Sequence, residues 1–255
     1  MMKVQMNSIV AAIEYDGTMF QGSQKQPKSR TVQGSLDESL TKIHKKQVFS
    51  EFASRTDSGV HASNQVVKFE TNLKINTNDW VQTLNHYLPE DIRAFKCNEI
   101  NKDFDVRRDA LEREYTYKII LGKRISPIEN KYYEHLDENL DFGVLENAKK
   151  IFIGEHNFLS FTGRLLPRNA NTVREINSIE YNLSARELII KITAKSFLYQ
   201  QVRRIIGSLI LLMKNRIDLD SINKAFKFPS KGKFNLLVSS KGLYLSDIKY
   251  KNILN

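Results

Sequence analysis

The chain is poor in the residues that staple proteins or bind metals. It holds one cysteine, Cys97, in 255 residues. No disulfide can form within the chain and no cysteine-rich metal site can be built; a lone thiol suits a reducing compartment. The histidines are His44, His61, His86, His135 and His156, and no two stand at helical ligand spacing, so no protein-held metal is expected. Long apolar runs are missing too. The most apolar stretch, residues 205–213, is closed at its ends by Arg203, Arg204 and Lys214 and is too short to span a bilayer. Residues 1–10 contain no apolar core of the signal-peptide kind, and the expected location is the cytoplasm, with no membrane partner. GxxxxGK[ST], GxGxxG and GxSxG motifs are all absent. P-loop hydrolysis, dinucleotide chemistry and an elbow-borne serine nucleophile therefore have no support.

What is present is base in excess. The formal net charge is +10, which suits a polyanionic partner. Residues 188–217 hold six Lys or Arg and no acid, and residues 17–36 carry Lys25, Lys28 and Arg30, again with no acid. The hydrophobic share of 41% and charged share of 27% are those of a globular protein. The length allows one large or two ordinary domains with a core that needs no staple.

Periodicity predicts a strand over 8–15, a polar loop over 18–30, and a helix capped by Thr31 with Val32, Leu36, Leu40 and Ile43 on one face. Strands follow over 47–53 and 64–70. A helix through Trp80, Val81, Leu84 and Tyr87 is stopped by Pro89, and a strand covers 92–100. After a charged junction at 104–109, the pattern predicts a strand over 113–121, an irregular connection over 122–137, a helix over 140–152 and a hairpin of 172–183 with 187–194. Helices over 197–213 and 219–228 and a last strand over 242–250 complete it. The expected class is α+β: two split-βαβ (ferredoxin/RRM-like) units, mainly antiparallel sheets with helices on one face and an active-site cleft between them. The expected domains are 1–107 and 108–255.

The stretch Ser54-Arg55-Thr56-Asp57-Ser58-Gly59-Val60-His61 concentrates reactive side chains between two apolar runs. Asp-Ser-Gly is also a good turn sequence, so an ordinary hairpin turn competes with an active site here. Arg55 beside Asp57 would favour the ionised carboxylate, suited to a nucleophile or base. Tyr115 and Tyr117 on one strand offer stacking faces, or simply pack. Phe197, Tyr199, Arg203 and Arg204 combine aromatic and cationic groups on the expected basic helix, against the alternative of an ordinary amphipathic helix.

These residues resemble the TruA-type tRNA pseudouridine synthases, whose signature reads approximately G-R-T-D-x-G-V-H followed by G-Q-V-x-x-F. Here it runs from Ser54 to His61, then Gln65-Val66-Val67-Lys68-Phe69. Further matches span nearly the whole chain: Glu14-Tyr15-Asp16-Gly17 with Phe20, Gly22 and Gln24; Thr31-Val32-Gln33; Leu88-Pro89-Glu90-Asp91-Ile92; Phe104 and Arg107; Arg113-Glu114-Tyr115-Thr116-Tyr117; Gly154-Glu155-His156-Asn157-Phe158; the run from Phe197 to Gly207; and Gly242-Leu243-Tyr244-Leu245. The resemblance implies that Asp57 is the catalytic carboxylate and that Arg55 positions it and touches RNA. It implies that Tyr115 stacks on the target base, that Arg203 pairs with the carboxylate, and that Leu243 lines the base pocket. It further implies tRNA as substrate at anticodon-arm positions 38 to 40, a homodimer, and no cofactor. Arg204 inherits no role and is read as a possible phosphate contact. Three departures stand out: Ser23 where the family has Trp, Ser54 where it has Gly, and Asn64 where it often has Gly. Two other classes compete: a non-catalytic RNA-binding module using its sheets as platforms, and a deaminase, which one cysteine does not support.

Overall fold

In the computed structural model, which describes residues 6–136, 139–163, 166–167, 169–251 and 253, the elements are β1 (Asn7–Tyr15), α1 (Val32–His44), β2 (Ser50–Phe52), β3 (His61–Thr71), α2 (Thr77–Tyr87) and β4 (Ile92–Ile100). There follow β5 (Glu112–Leu121), β6 (Glu134–Leu136), α3 (Leu145–Phe152), β7 (Gly154–Asn157), β8 (Val173–Leu183), β9 (Glu187–Ala194), α4 (Gln201–Met213), α5 (Leu219–Lys227) and β10 (Leu243–Lys249). The fold is mixed α/β, with open sheet and helices on one face. Two compact units divide it: residues up to Leu111 together with those from Tyr244 on, and Glu112–Leu243.

In the first unit, β1 is apolar on both faces because it is central. It pairs antiparallel with β3 (Ile9↔Phe69, Ala11↔Val67) and with β4 (Ala11↔Cys97). β2 lies antiparallel on the far side of β3, with Phe52 opposite Val67. Thr31 caps α1 by accepting the Gly34 N–H at 3.2 Å, and Val32, Leu36 and Leu40 are buried beneath the helix. Trp80 of α2 meets Phe69 edge-on with ring centroids 5.1 Å apart. Helix α1 also fixes β2. Asp37 accepts from both the N–H and the hydroxyl of Ser50 at 2.9 and 2.6 Å, and the Gln33 amide donates to the Ser50 carbonyl at 2.7 Å.

Sequence patterning placed the last strand in a unit of residues 108–255. Strand β10 instead runs parallel to β3, with Tyr244 opposite His61 and Leu245 opposite Ala62. Leu245 is fully buried, Leu111 N–H donates to the Lys249 carbonyl at 2.8 Å, and Asn64 donates to Asp247 at 2.7 Å. The chain end thus returns to the first unit. Periodicity could assign it a strand but not a partner.

In the second unit β5, β9, β8 and β7 pair antiparallel in that order, and β6 adds to β5 in parallel. The β8–β9 hairpin falls where expected. Other boundaries move. The helix expected from residue 140 begins at Leu145, because Asp141 caps a tighter 3-10 turn over Phe142–Val144. The helix expected from Phe197 begins at Gln201, because Gln200 is left-handed at φ +60°. The Gln201 side chain there accepts the Leu198 N–H at 2.7 Å. Phe197 and Tyr199 therefore lie outside the helix that carries Arg203 and Arg204. Strand β7 was not expected at all: Gly-Glu-His-Asn shows no apolar alternation, and it forms an edge. No helix among the described residues is long and apolar enough to cross a membrane.

Candidate active site

Asp57 sits on the loop between β2 and β3. The loop closes as a β-turn in which Val60 N–H donates to the Asp57 carbonyl at 3.2 Å, with Gly59 at φ +75°. A positive φ at the third position is what Asp-Ser-Gly supplies. The turn that competed with an active site on sequence grounds is present, and the carboxylate is mounted on it.

Three sets of contacts fix this turn. On one side Gln65 of β3 spans the loop base: its Oε1 accepts the Ser54 N–H at 3.2 Å and its amide donates to the Ser54 carbonyl at 2.9 Å. On the other side lies the segment after β1. Ser23 N–H donates to the Thr56 carbonyl at 3.1 Å and Ser23 Oγ accepts the Thr56 N–H at 2.8 Å. Gly59 N–H donates to the Phe20 carbonyl at 3.2 Å. Below, the Tyr15 hydroxyl bonds the Thr56 hydroxyl at 2.8 Å. Ser23, Gln65, Tyr15 and Thr56 are all buried, where each broken bond would strand a polar group.

Two glycines let the strands of chain approach this closely. A Cβ on Gly17 would lie 2.0 Å from the Val60 carbonyl oxygen. A Cβ on Gly22 would lie 2.8 Å from that of Thr56, and Gly22 is at φ +89°. His61 completes the frame. Its Nδ1 accepts the Gly17 N–H at 3.1 Å, and its ring stacks on Tyr244 with centroids 4.7 Å apart.

Arg55 is exposed. Its side chain turns toward a cleft of about 370 Å³ in the first unit, lined also by Ser23, Gln24, Gln33, Arg107 and Arg108. Asp105, at the same cleft, accepts the N–H groups of Arg107 and Arg108, each at 2.9 Å. These bonds, with the two guanidinium charges, hold its carboxyl below the usual range. The cleft remains rich in cationic side chains.

Tyr115, Arg203 and Leu243 belong to the second unit. Tyr115 is buried on β5 and meets Phe197 edge-on, centroids 5.3 Å apart. Tyr117, two residues on, packs inside the unit; its hydroxyl reaches Glu134 at 3.1 Å and the Ser239 carbonyl at 3.0 Å. Burial, then the Glu134 charge, push its phenol far above the ordinary value. Tyr117 is thus structural, the packing alternative weighed for this strand. Arg203, on the first turn of α4, donates from Nε to the Val238 carbonyl at 2.8 Å. Leu243 is buried beside Gly242, where a Cβ would meet the Lys118 carbonyl oxygen at 2.8 Å. Among the described residues no three His, Cys, Asp or Glu side chains gather where a metal ion could be held.

In sequence Gly17, Gly22 and Gln65 are motif positions and Ser23 a departure from the motif. Their common task, clamping the Asp57 turn, became visible once the segment after β1 was seen to lie against it. No periodicity reports which two loops meet.

The profile of a tRNA pseudouridine synthase family matches residues 11–109 and 148–251 of this chain. The chain belongs to that family. It is 34% identical over 251 residues to tRNA pseudouridine synthase A of Bacillus pumilus, covering 96% of this chain and 99% of that protein. It is 33% identical over 248 residues to tRNA pseudouridine synthase A 1 of a Bacillus cereus strain, covering 97% and 100%, and 33% over 245 residues to tRNA pseudouridine synthase A 2 of Clostridium perfringens, covering 96% and 100%. As a member of the pseudouridine synthase family the protein is an isomerase. Two departures from the family pattern are then readable: Ser54 has no positive φ, so glycine is not required there, and Ser23 spends its hydroxyl on the Asp57 loop.

Proposed function

We propose that this enzyme converts uridine to pseudouridine in the anticodon stem-loop of tRNA, at positions 38 to 40, with Asp57 as the catalytic carboxylate acting on a flipped-out base. The observation that carries the proposal is the clamp on the Asp57 turn. Buried hydrogen bonds from Ser23, Gln65 and Tyr15, with two close-packed glycines, hold a partly exposed carboxylate in one place. A loop that merely joined β2 to β3 would need none of this.

The reaction breaks the bond from N1 of uracil to C1′ of ribose and makes one from C5 to C1′. C5 loses a proton and N1 gains one, so no electrons, group or cofactor enter. A base must leave its stack to be reached, at a cost of a few kcal/mol, least in a loop or stem end. In this reading Arg55 contacts RNA from the cationic cleft, Tyr115 stacks on the extruded base, Leu243 bounds its pocket and Arg203 supplies a cation to the same reaction. Two split-βαβ units carry these groups, and the enzyme works as a homodimer.

Asp57→Asn is the test. Pseudouridine, read by chemical labelling of tRNA incubated with pure protein, should vanish while tRNA binding is retained. Undiminished turnover would remove Asp57 from the chemistry. Binding by the unaltered protein without any pseudouridine would make the chain a non-catalytic RNA-binding module.

A further inference from the structure

A second cleft, of about 340 Å³, lies wholly within the second unit. Its lining includes Thr162, Gly163, Tyr199, Gln200, Arg204 and Asn235. Arg204 decides its chemistry. The residue is only 9% exposed. Its Nη1 donates to the Phe234 carbonyl at 2.9 Å and its Nη2 to Gln200 Oε1 at 3.2 Å, and its Nε is buried without a partner. It makes no salt bridge with any described acid. Guanidinium stays charged in proteins, and a buried charge without a counter-charge is costly. Burial, followed by the charge of Arg203, lowers its pKa. From residue 188 to 217 and again from 221 to 246 the sequence has no acid. Gly163 leaves the guanidinium open, since a Cβ there would lie 3.0 Å from Gln200 Oε1 and 3.5 Å from Arg204 Nη2. At the rim Tyr199 is 49% exposed, a ring free to stack.

We propose that this cleft is a nucleotide subsite in which Arg204 binds a backbone phosphate of the RNA substrate and Tyr199 stacks on an adjoining base. The phosphate supplies the missing counter-charge, and a charge-assisted bond to a guanidinium is among the strong hydrogen bonds available. The subsite rests on the tRNA reading above and extends it to a surface that reading does not use.

The test compares tRNA affinity of the full chain across a KCl series with that of Arg204→Gln, Arg204→Lys and Tyr199→Ala, alongside NMR of arginine Nε–H groups titrated with inorganic phosphate. Arg204→Gln should weaken binding about tenfold and flatten the log–log salt slope by roughly 0.7–0.9, the share of one phosphate contact. Arg204→Lys should keep the slope. Tyr199→Ala should weaken binding about tenfold with the slope unchanged, as loss of a stacked base does. Inorganic phosphate should shift the Arg204 Nε–H signal. If tRNA binds and is modified but Arg204→Gln leaves the slope intact, the subsite is refuted and Arg204 is only a tie to Phe234; the function above stands. If phosphate shifts the signal but tRNA does not bind the unaltered protein, the RNA assignment of both sites falls. Should Arg204→Gln fail to fold, an unshifted Nε–H signal in the unaltered protein still refutes the subsite.

Discussion

Ser23→Ala removes one oxygen from the enzyme and should cost it most of its turnover. Ser23 is fully buried and its Oγ is the acceptor for the Thr56 N–H at 2.8 Å. Alanine fits the same space, so the change leaves a buried donor unsatisfied without opening an appreciable cavity. That costs about 1–3 kcal/mol. The Ser23 N–H bond to the Thr56 carbonyl, the Gln65 clamp and the Tyr15 bond all survive, so the cost falls on the local conformation of the loop and not on the whole fold. A penalty of one to two kcal/mol against the productive loop means a fall of about five- to thirty-fold in its population. We expect kcat to drop by that factor while KM for tRNA changes little, since Ser23 acts through Thr56 on Asp57 and contributes no charge to RNA binding. Ser23→Thr keeps the hydroxyl and should restore most of the rate. Steady-state kinetics on a tRNA transcript, with pseudouridine as the readout, supply both numbers. Unchanged kcat in Ser23→Ala would show that the loop is held without this bond. Loss in KM alone would make Ser23 an RNA contact.

Gly22→Ala should be worse than Ser23→Ala, because φ of +89° and a Cβ 2.8 Å from the Thr56 carbonyl oxygen act together; a left-handed non-glycine alone costs about 1–2 kcal/mol, and a variant as active as the parent would show that the segment moves freely. Tyr117→Phe removes the hydroxyl shared by Glu134 and Ser239 and should lower stability in urea melts by roughly 1–2 kcal/mol, with turnover of the folded enzyme retained. Cys97 is buried, which pushes its thiol up to about 12, so iodoacetamide at pH 8 should label the protein only after unfolding; rapid labelling of the native chain would contradict the buried placement. His44 is buried between Leu40 and Thr71, accepting or donating at 2.8 Å on each ring nitrogen, and desolvation lowers its pKa below 6.5. The unfolded chain therefore binds the extra proton first, the stability from neutral His44 is complete above about 6.5 and is lost as pH falls toward its folded value, and His44→Gln should flatten that part of a stability–pH curve.

Element types were legible where one pattern decides. The β8–β9 hairpin, strand β4 and the Thr31 cap all follow from local chemistry. What failed was local as well: Gln200 at φ +60° cuts the basic helix short, and nothing in Phe-Leu-Tyr-Gln-Gln announces a left-handed residue. The edge strand β7 was invisible because edges need no apolar alternation. The homing of β10 to β3 was illegible for a deeper reason, since pairing is a property of two segments and periodicity describes one.

The candidate site divides along the same line. Asp57 could be singled out because its turn chemistry and its motif coincide within a few residues. The residues that hold it were harder to see, because Ser23, Gln65 and Tyr15 act from three separate segments and none alone shows in sequence that it meets the Asp57 turn. Ser23 shows how a departure from a family pattern can mislead. In sequence Ser23 stands only as a departure from a tryptophan, yet the serine is buried and makes two bonds to Thr56. A tryptophan side chain has no oxygen with which to accept the Thr56 N–H. Relatives carrying one must satisfy that donor by another route, so the effect of Ser23→Trp here measures how far the clamp on Asp57 has been rebuilt around the smaller residue. Ser23 also borders the cationic cleft of the first unit, and an indole there has no means to replace the bond. Ser23→Trp should therefore lower kcat at least as far as Ser23→Ala does, and a variant that turns over like the parent would show that packing against the loop can substitute for the hydrogen bond.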